Sequence, residues 1–277
     1  MVTHIQKPGV IYRHTLPIRI MHWVNVICFF VLLMSGLNIF NAHPALNLGK
    51  SSYNGRPPVF ELTAEATNSG ELKGITNILG HKFDTSGLLG TTYTASGKAV
   101  ARGFPYWMTL PSAQWLAMAR HWHFFFAWLF VVNGCCYLLY SFMTRHIQRD
   151  MVPAKRDWAS IGQSIKDHIR FKHAKDEEAK RYNVLQRLAY LTVIFILLPL
   201  IILMGWAMSP FLNSLLPGWV DIVGGRQSAR TIHFIVAWLL VAFVFIHVFE
   251  VMITGLWNNI RSMITGYYSI DEHKEGN

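Results

Sequence analysis

The sequence predicts an all-α integral membrane protein, a four-helix bundle with a long outward loop insertion between its first and second helices. Of the 277 residues, 52% are hydrophobic and only 14% are charged, whereas a soluble domain has about 25% charged residues. Four apolar segments come close to the roughly 20 residues that a helix needs to cross a bilayer. The predicted spans are residues 16–40, 115–143, 185–208 and 231–257.

The positions of the basic residues predict how these spans are oriented. The connection 144–182 contains ten Lys and Arg residues, whereas the much longer connection 41–114 contains six and the connection 209–230 contains two. Short cytoplasmic connections carry the excess of Lys and Arg in membrane proteins. We therefore expect a basic cytoplasmic loop at 144–182, a periplasmic loop insertion at 41–114, and both termini on the cytoplasmic side of a bacterial inner membrane. The net charge of +10 then requires no nucleic acid as a partner.

The insertion 41–114 is rich in Gly, Ser, Thr and Pro, which predicts little regular structure. A connection of this length is uncommon in a compact protein and is usually functional or disordered. We expect it to provide a docking surface on the outer side of the membrane.

The three cysteines exclude several kinds of redox centre. Cys28, Cys135 and Cys136 all lie inside predicted spans, and none belongs to a C-x-x-C-H motif. Covalently attached c-type haem is therefore not expected. The same placement leaves no disulfide framework in the insertion and too few ligands for an iron–sulfur cluster.

Histidine occurs repeatedly inside the predicted spans. An ionisable side chain at membrane depth is costly, tends to face the bundle interior, and is a functional hypothesis by default. A single such histidine would be explained as a hydrogen-bonded core residue, but several on three spans favour a role as metal ligands. The candidates are His22, His121, His123, His233 and His247.

The two histidines of the fourth span predict two separate sites. His233 and His247 are 14 residues apart, and at about 100° per residue this is four helical turns less about 40°, so they share one face. At about 1.5 Å per residue they are about 21 Å apart along the helix axis. This separation is too large for one metal ion and predicts two stacked cofactors, one toward each membrane surface.

Each of these histidines needs a second ligand at the same depth. His22 enters the first span from the inner side at a depth that matches His247. On the outer side, either His121 or His123 of the second span matches the depth of His233. A pair of imidazoles flanking a planar macrocycle suits haem b, so we predict two haem b groups with histidine-ligated iron.

An internal similarity distinguishes the two candidates of the second span. Residues 119–128 align with 229–238, and this alignment places His123 on His233. His121 would point elsewhere, because two residues correspond to about 200° around a helix. We therefore predict His123 and His233 for the outer haem iron, with His121 as the alternative ligand, and His22 and His247 for the inner haem iron.

An arginine precedes three of the predicted ligands by three positions, at Arg19, Arg120 and Arg230. Residues i and i+3 are neighbours on a helix, so each guanidinium lies beside its histidine. A forked guanidinium suits a haem propionate, and snorkelling to a lipid phosphate is the alternative. The threefold recurrence beside histidine favours propionate binding.

These residues also resemble a known family. The pattern from Arg13 to Trp23, together with His123 and the 14-residue spacing of His233 and His247, resembles the dihaem cytochrome b subunits of respiratory formate dehydrogenases, nickel–iron hydrogenases and thiosulfate reductases. These subunits form the prokaryotic cytochrome b561-like superfamily. The segment 43–49 resembles a branch of it found beside periplasmic molybdopterin oxidoreductases. The resemblance implies an electron-transfer subunit that connects the quinone pool, with quinone as substrate, to a periplasmic redox partner.

A proton relay for quinone chemistry is a further expectation. Glu250 is the only acidic residue within the predicted spans and follows His247 by three positions, so it lies one turn nearer the cytoplasm. Its carboxylate is placed to relay protons, and His14 at the same surface is a second candidate because imidazole titrates near neutrality. The alternative is that Glu250 pairs with Arg187 or with a base of the inner loop.

Two other classes of function fit the sequence less well. A self-contained haem reductase or oxidase would act on a small oxidant without a partner, but the long insertion favours docking. A histidine-based transporter would use the same side chains as proton or metal sites, but the four spans show no inverted repeat of the kind seen in transporters.

Overall fold

The computed structural model describes residues 10–52, 55–68, 70–153 and 184–269. Most of the predicted basic loop 144–182 lies outside these described residues. Within them, four helices are long and apolar enough to cross a membrane, which confirms the predicted fold class. The helices are α1 (Leu16–Asn41), α2 (Leu116–Met143), α3 (Val184–Ala207), α4 (Pro210–Leu215), α5 (Arg226–Ile253) and α6 (Leu256–Thr265), of which α1, α2, α3 and α5 are the spans.

The fourth span differs from its prediction at both ends. The helix α5 begins at Arg226 rather than at 231 and ends at Ile253 rather than at 257. Its first turn is polar, so hydropathy alone places the start too late. Gly255 adopts φ of +107°, a conformation that glycine tolerates and that terminates helices, and the apolar residues after it belong to α6.

The third span contains a π-helical turn at Val193–Leu197, immediately before Pro199. In a regular α-helix the Pro199 ring would clash with the carbonyl of residue 195, and its missing N–H would leave that carbonyl without a donor. The π-helical turn includes residue 195, and turns of this kind are among the recognised ways in which helices accommodate proline.

The insertion 41–114 contains two antiparallel sheets, so the prediction of little regular structure is wrong. Antiparallel strands form a four-stranded sheet in the order β2-β3-β4-β5 and a two-stranded sheet of β6 and β7. The composition did not predict these strands because Gly and Thr, which are common in loops and turns, also occur within the paired strands. The strands are β2 (Ala45–Leu46), β3 (Phe60–Ala66), β4 (Leu72–Ile78), β5 (His81–Asp84), β6 (Thr91–Tyr93) and β7 (Ala99–Ala101), while β1 (Val10–Tyr12) and β8 (Tyr267–Ser269) pair outside the insertion.

The sheet of the insertion packs on the end of α1. Leu62 of β3 lies opposite Thr76 of β4 in the register, and both are buried. Leu62 joins a hydrophobic cluster with Leu37 and Phe40 of α1. The remaining buried members of this cluster are Leu46 and Phe104. Burial of these side chains, rather than local propensity, therefore fixes the position of the insertion.

The described chain divides into two compact units. The first unit lies within residues 1–26, 132–194 and 240–277, and the second unit comprises 27–131 and 195–239. The first unit contains the antiparallel pair of β1 and β8, in which Tyr12 lies opposite Tyr267. The second unit contains the whole insertion.

Within the second unit, residues 43–49 form a strap across the start of α5. The carbonyl of Gly49 accepts hydrogen bonds from the backbone N–H groups of Gln227 (3.0 Å) and Ser228 (3.3 Å). These N–H groups belong to the first helical turn and have no partner inside the helix. A β-carbon on Gly225, which has φ of +103°, would lie 2.8 Å from the Gly49 carbonyl oxygen, so the strap can approach only because this position is glycine.

Candidate functional site

The second unit brings the imidazole rings of His123 of α2 and His233 of α5 close together. Their ring centroids are 6.3 Å apart, and the ring planes are inclined by 61°. Both side chains are half-buried. His121, the alternative candidate, is exposed on α2, and the structure pairs His123 rather than His121 with His233.

Each of these two rings is held by a hydrogen bond at Nδ1. His233 Nδ1 lies 2.9 Å from the carbonyl oxygen of Ile201. A carbonyl can only accept, so Nδ1 of His233 carries the proton and Nε2 keeps a free lone pair. His123 Nδ1 lies 3.1 Å from Ser35 Oγ, so a hydroxyl oxygen occupies the corresponding position on the second ring.

Two glycines allow helices α1 and α3 to lie close against these rings. A β-carbon on Gly36 would lie 3.3 Å from Cε1 of His123, and one on Gly205 would lie 3.5 Å from Cε1 of His233. A side chain longer than a methyl group at either position would enter the space of the neighbouring ring. At these two positions the backbone of the neighbouring helix therefore lies directly against the histidine ring.

The first unit brings His22 of α1 and His247 of α5 together in a second pair. Their ring centroids are 6.4 Å apart. Phe243 stacks on His247 with centroids 6.0 Å apart, and Tyr190 packs edge-on against the same ring at 6.2 Å. Nδ1 of His22 is buried and has no hydrogen-bond partner among the described residues.

The separation of both ring pairs fits a metal ion held between them. An imidazole nitrogen binds a metal ion at about 2.0 Å, so two rings on opposite sides of one ion have centroids about 6 Å apart. The measured separations of 6.3 Å and 6.4 Å agree with this value. Among the described residues no group of three or more His, Cys, Asp or Glu side chains could hold a metal ion.

The three predicted propionate arginines have different surroundings. Arg19 donates from Nη1 to the carbonyl of Ile264 in the last turn of α6, while its buried Nε has no partner among the described residues. Arg120 is exposed, with its guanidinium 5.5 Å from the ring centroid of Phe124. Arg19 thus offers a buried donor on the same helix as His22.

The guanidinium of Arg230 forms hydrogen bonds to the strap 43–49. Its Nη1 donates to the carbonyl of Ala45 (3.1 Å) and its Nη2 donates to the carbonyl of His43 (2.5 Å). Thr231 adds a hydrogen bond of 2.7 Å to the carbonyl of Asn47. Arg230 therefore holds the strap 43–49 on α5, and its contacts give no support to propionate binding.

The two candidates for a proton relay both lie in the first unit. Glu250 is half-buried on α5 and accepts a hydrogen bond of 3.4 Å from Nε2 of Gln186. Burial, followed by the positive charge of Arg13, lowers the pKa of His14 to about 4. His14 is therefore uncharged near neutral pH and takes up a proton there only weakly, which does not support the relay role expected from an imidazole that titrates near neutrality.

Sequence reasoning missed the residues that support the histidines. Ser35, Gly36, Ile201 and Gly205 contact His123 or His233, but small or apolar residues inside a span carry no distinct signal. Asn133 was equally missed. Its Nδ2 donates hydrogen bonds to the carbonyl of Met21 (2.9 Å) and to Oδ1 of Asn25 (2.7 Å). The only sign of this role in the sequence was an amide side chain inside a predicted span.

Four membrane helices that bring histidines into facing pairs have the arrangement of a membrane cytochrome b. A family model described as prokaryotic cytochrome b561 matches residues 13–266. The chain belongs to this family and is a multi-pass membrane haem protein. It is 27% identical over 256 residues to the “Putative protein-methionine-sulfoxide reductase subunit YedZ1” of Azospira oryzae, an alignment that covers 90% of this chain and 94% of the relative. No solved structure gives a significant match.

Proposed function

We propose that the chain carries electrons across the bilayer through two haem b groups. His123 and His233 hold the outer one, and His22 and His247 hold the inner one. The observation that carries this proposal is the pair of matched ring separations, 6.3 Å and 6.4 Å. Both pairs use a histidine from α5, 14 residues apart, which supports one centre toward each membrane surface.

Hydrogen bonds within the protein orient the proposed ligands of the outer haem. The carbonyl of Ile201 keeps the Nδ1 proton of His233, so its Nε2 lone pair points away from that bond and is available to iron. Haem supplies reversible one-electron chemistry when it is bound. Arg19, with its buried and unpartnered Nε, is the residue best placed for a propionate of the inner haem, and Arg120 remains the candidate for the outer one.

A membrane quinol is the proposed electron source. A quinol releases two electrons and two protons when it becomes a quinone, so its site needs both an electron acceptor and a proton acceptor. Glu250 supplies a half-buried carboxylate one turn from His247, whereas the lowered pKa of His14 disfavours proton uptake at that side chain. The position of Glu250 supports quinol oxidation beside the inner histidine pair.

A periplasmic oxidoreductase of the molybdopterin type is the proposed partner. The name of the Azospira oryzae relative describes a reductase subunit for methionine sulfoxide in proteins, which supports electron flow from quinol toward a reductase. The two electrons and two protons released by one quinol balance the reduction of one sulfoxide to a thioether and water. The insertion 41–114, on the side that the charge distribution predicts to be periplasmic, is the proposed docking region.

The proposal is tested with the full chain in lipid vesicles, without a partner and without oxygen. A quinol analogue should produce the reduced-minus-oxidised visible spectrum of haem b, and free methionine sulfoxide should leave the haem reduced. The His121→Ala variant should behave as wild type, while His123→Ala should lose part of the spectrum. Absence of quinol-dependent reduction contradicts the quinone assignment. Rapid reoxidation by methionine sulfoxide alone would instead indicate a self-contained reductase.

A further inference from the structure

Ser35 of α1 is fully buried beside His123. Its Oγ donates a hydrogen bond of 2.6 Å to the carbonyl of Val31, one turn earlier in the same helix. The same Oγ lies 3.1 Å from Nδ1 of His123. A hydroxyl has one hydrogen and two lone pairs, so an oxygen that gives its hydrogen to Val31 can only accept from the histidine.

This arrangement fixes both the tautomer and the orientation of His123. Nδ1 carries the proton and donates it to Ser35 Oγ, so Nε2 is left unprotonated. The bond from Ser35 to Val31 is the usual back-bond of serine in a helix, and it holds the acceptor in place. The ring of His123 therefore cannot rotate without losing a buried hydrogen bond.

The two histidine pairs differ in this respect. In the second unit both Nδ1 atoms have an acceptor, Ser35 for His123 and Ile201 for His233. In the first unit, Nδ1 of His22 has none among the residues that the structure describes. An acceptor at Nδ1 raises the basicity of the ligand nitrogen, and a more basic ligand stabilises ferric over ferrous iron.

We propose that Ser35 is a positioning residue that lowers the reduction potential of the haem held by His123 and His233, and of that haem only. The inference rests on the proposed function, because it requires His123 to be an iron ligand. Ser35 acts through His123 and makes no contact with the iron itself. Ser35 thus adjusts the reduction potential of one haem through His123. Nδ1 of His22 has no corresponding hydrogen-bond partner among the described residues.

The test is a redox titration of the purified full chain, followed in the visible spectrum. Ser35→Ala should raise the midpoint potential of one haem component and leave the other unchanged. Ser35→Thr keeps a hydroxyl that can form the same back-bond and should restore the wild-type potential. Ser141→Ala is the matched control, because Ser141 is equally buried within a span and its Oγ has no partner among the described residues.

The shifted component is assigned in the His22→Ala background, in which only the haem of His123 and His233 should remain. Adding Ser35→Ala to that variant should raise the potential of the remaining component. The low-spin ferric signal in electron paramagnetic resonance should change in the same variant, because the donor strength of His123 changes.

The outcomes separate this inference from the proposed function. If the wild type titrates as fewer than two haem components, the proposed function is wrong. If the wild type titrates as two haem components, three results with Ser35→Ala would contradict the role of Ser35. These are two unchanged potentials, one lowered potential, or a shift of both potentials. If Ser35→Ala loses the haem, Ser35→Cys with its weaker acceptor should retain it at a raised potential. Loss of haem in both variants would show that Ser35 is needed to retain the haem, and would overturn its proposed role in setting the reduction potential.

Discussion

Gly36 of α1 lies against the imidazole of His123, and a β-carbon at this position would be 3.3 Å from Cε1 of the ring. A contact of this length is tolerable only if the ring gives way by a few tenths of an ångström. The ring is itself restrained by its hydrogen bond to Ser35. The backbone of α1 at Gly36 therefore restricts the position of the candidate ligand His123 on α2.

Gly36→Leu should displace His123 and reduce the haem content from two per chain to one. The added side chain must occupy the volume of the ring, and a packed interior does not accommodate it without movement. The measurement is the ratio of haem to protein in the purified chain. Gly134→Leu is the matched control on α2, because a β-carbon on Gly134 meets nothing within 4 Å. Equal haem loss in both variants would show that the effect is not specific to the contact with His123.

The pairing of the histidines was accessible from sequence because helix geometry is regular. The rise and rotation per residue place His233 and His247 on one face of α5, matching depth selects His22, and the similarity of residues 119–128 to 229–238 selects His123 over His121. The structure forms the same two pairs, His123 with His233 and His22 with His247. Their role as iron ligands stays a prediction.

The supporting contacts were not accessible from sequence. Whether Ser35 and Gly36 face His123 depends on the rotation of α1 against α2, which hydropathy does not specify. The strands of the insertion were missed for a related reason. Leu62 and Thr76 share one buried face of the sheet, but their segments are short and are separated by turn residues that dominate the composition.

Arg102→Met should destabilise the insertion by about 3 kcal/mol. The buried guanidinium donates to the carbonyl of Phe104 (2.9 Å), to Oγ1 of Thr109 (2.8 Å) and to the carbonyl of Ser112 (2.8 Å). An apolar side chain would leave these acceptors unsatisfied. The measurement is the rate at which a protease added to the outer side cleaves within 41–114. If cleavage requires local unfolding of the insertion, this rate should increase roughly a hundredfold.

The control for this variant is Lys98→Met, because Lys98 is exposed and its substitution should leave the cleavage rate within about twofold of wild type. Similar rates for the Arg102 and Lys98 variants would contradict a structural role for the buried guanidinium.

The predicted topology is tested by cysteine labelling with a membrane-impermeant reagent. In a variant with Cys28, Cys135 and Cys136 replaced by alanine, Ser96→Cys should react in intact cells and Gln148→Cys only after the membrane is opened. Both positions are exposed in the structure. The reverse pattern would move the insertion and its partner to the cytoplasmic side.

Glu250→Gln should slow haem reduction by quinol analogues while both haems stay bound. The substitution keeps the shape of the side chain but removes its ability to accept a proton. Stopped-flow reduction kinetics measure the effect, with Glu71→Gln as a control because Glu71 is an exposed residue of the insertion. Unchanged kinetics with intact haem content would exclude Glu250 from the proton path and leave the quinone site elsewhere.

The haem content of the purified chain and its histidine variants tests the central claim most directly. Wild type and His121→Ala should each contain two haem b groups per chain, whereas His22→Ala and His123→Ala should each contain one. Each single replacement removes one ligand from one pair, and the other pair is left intact. One haem in the wild type, or loss of a haem in His121→Ala with both retained in His123→Ala, would contradict the account.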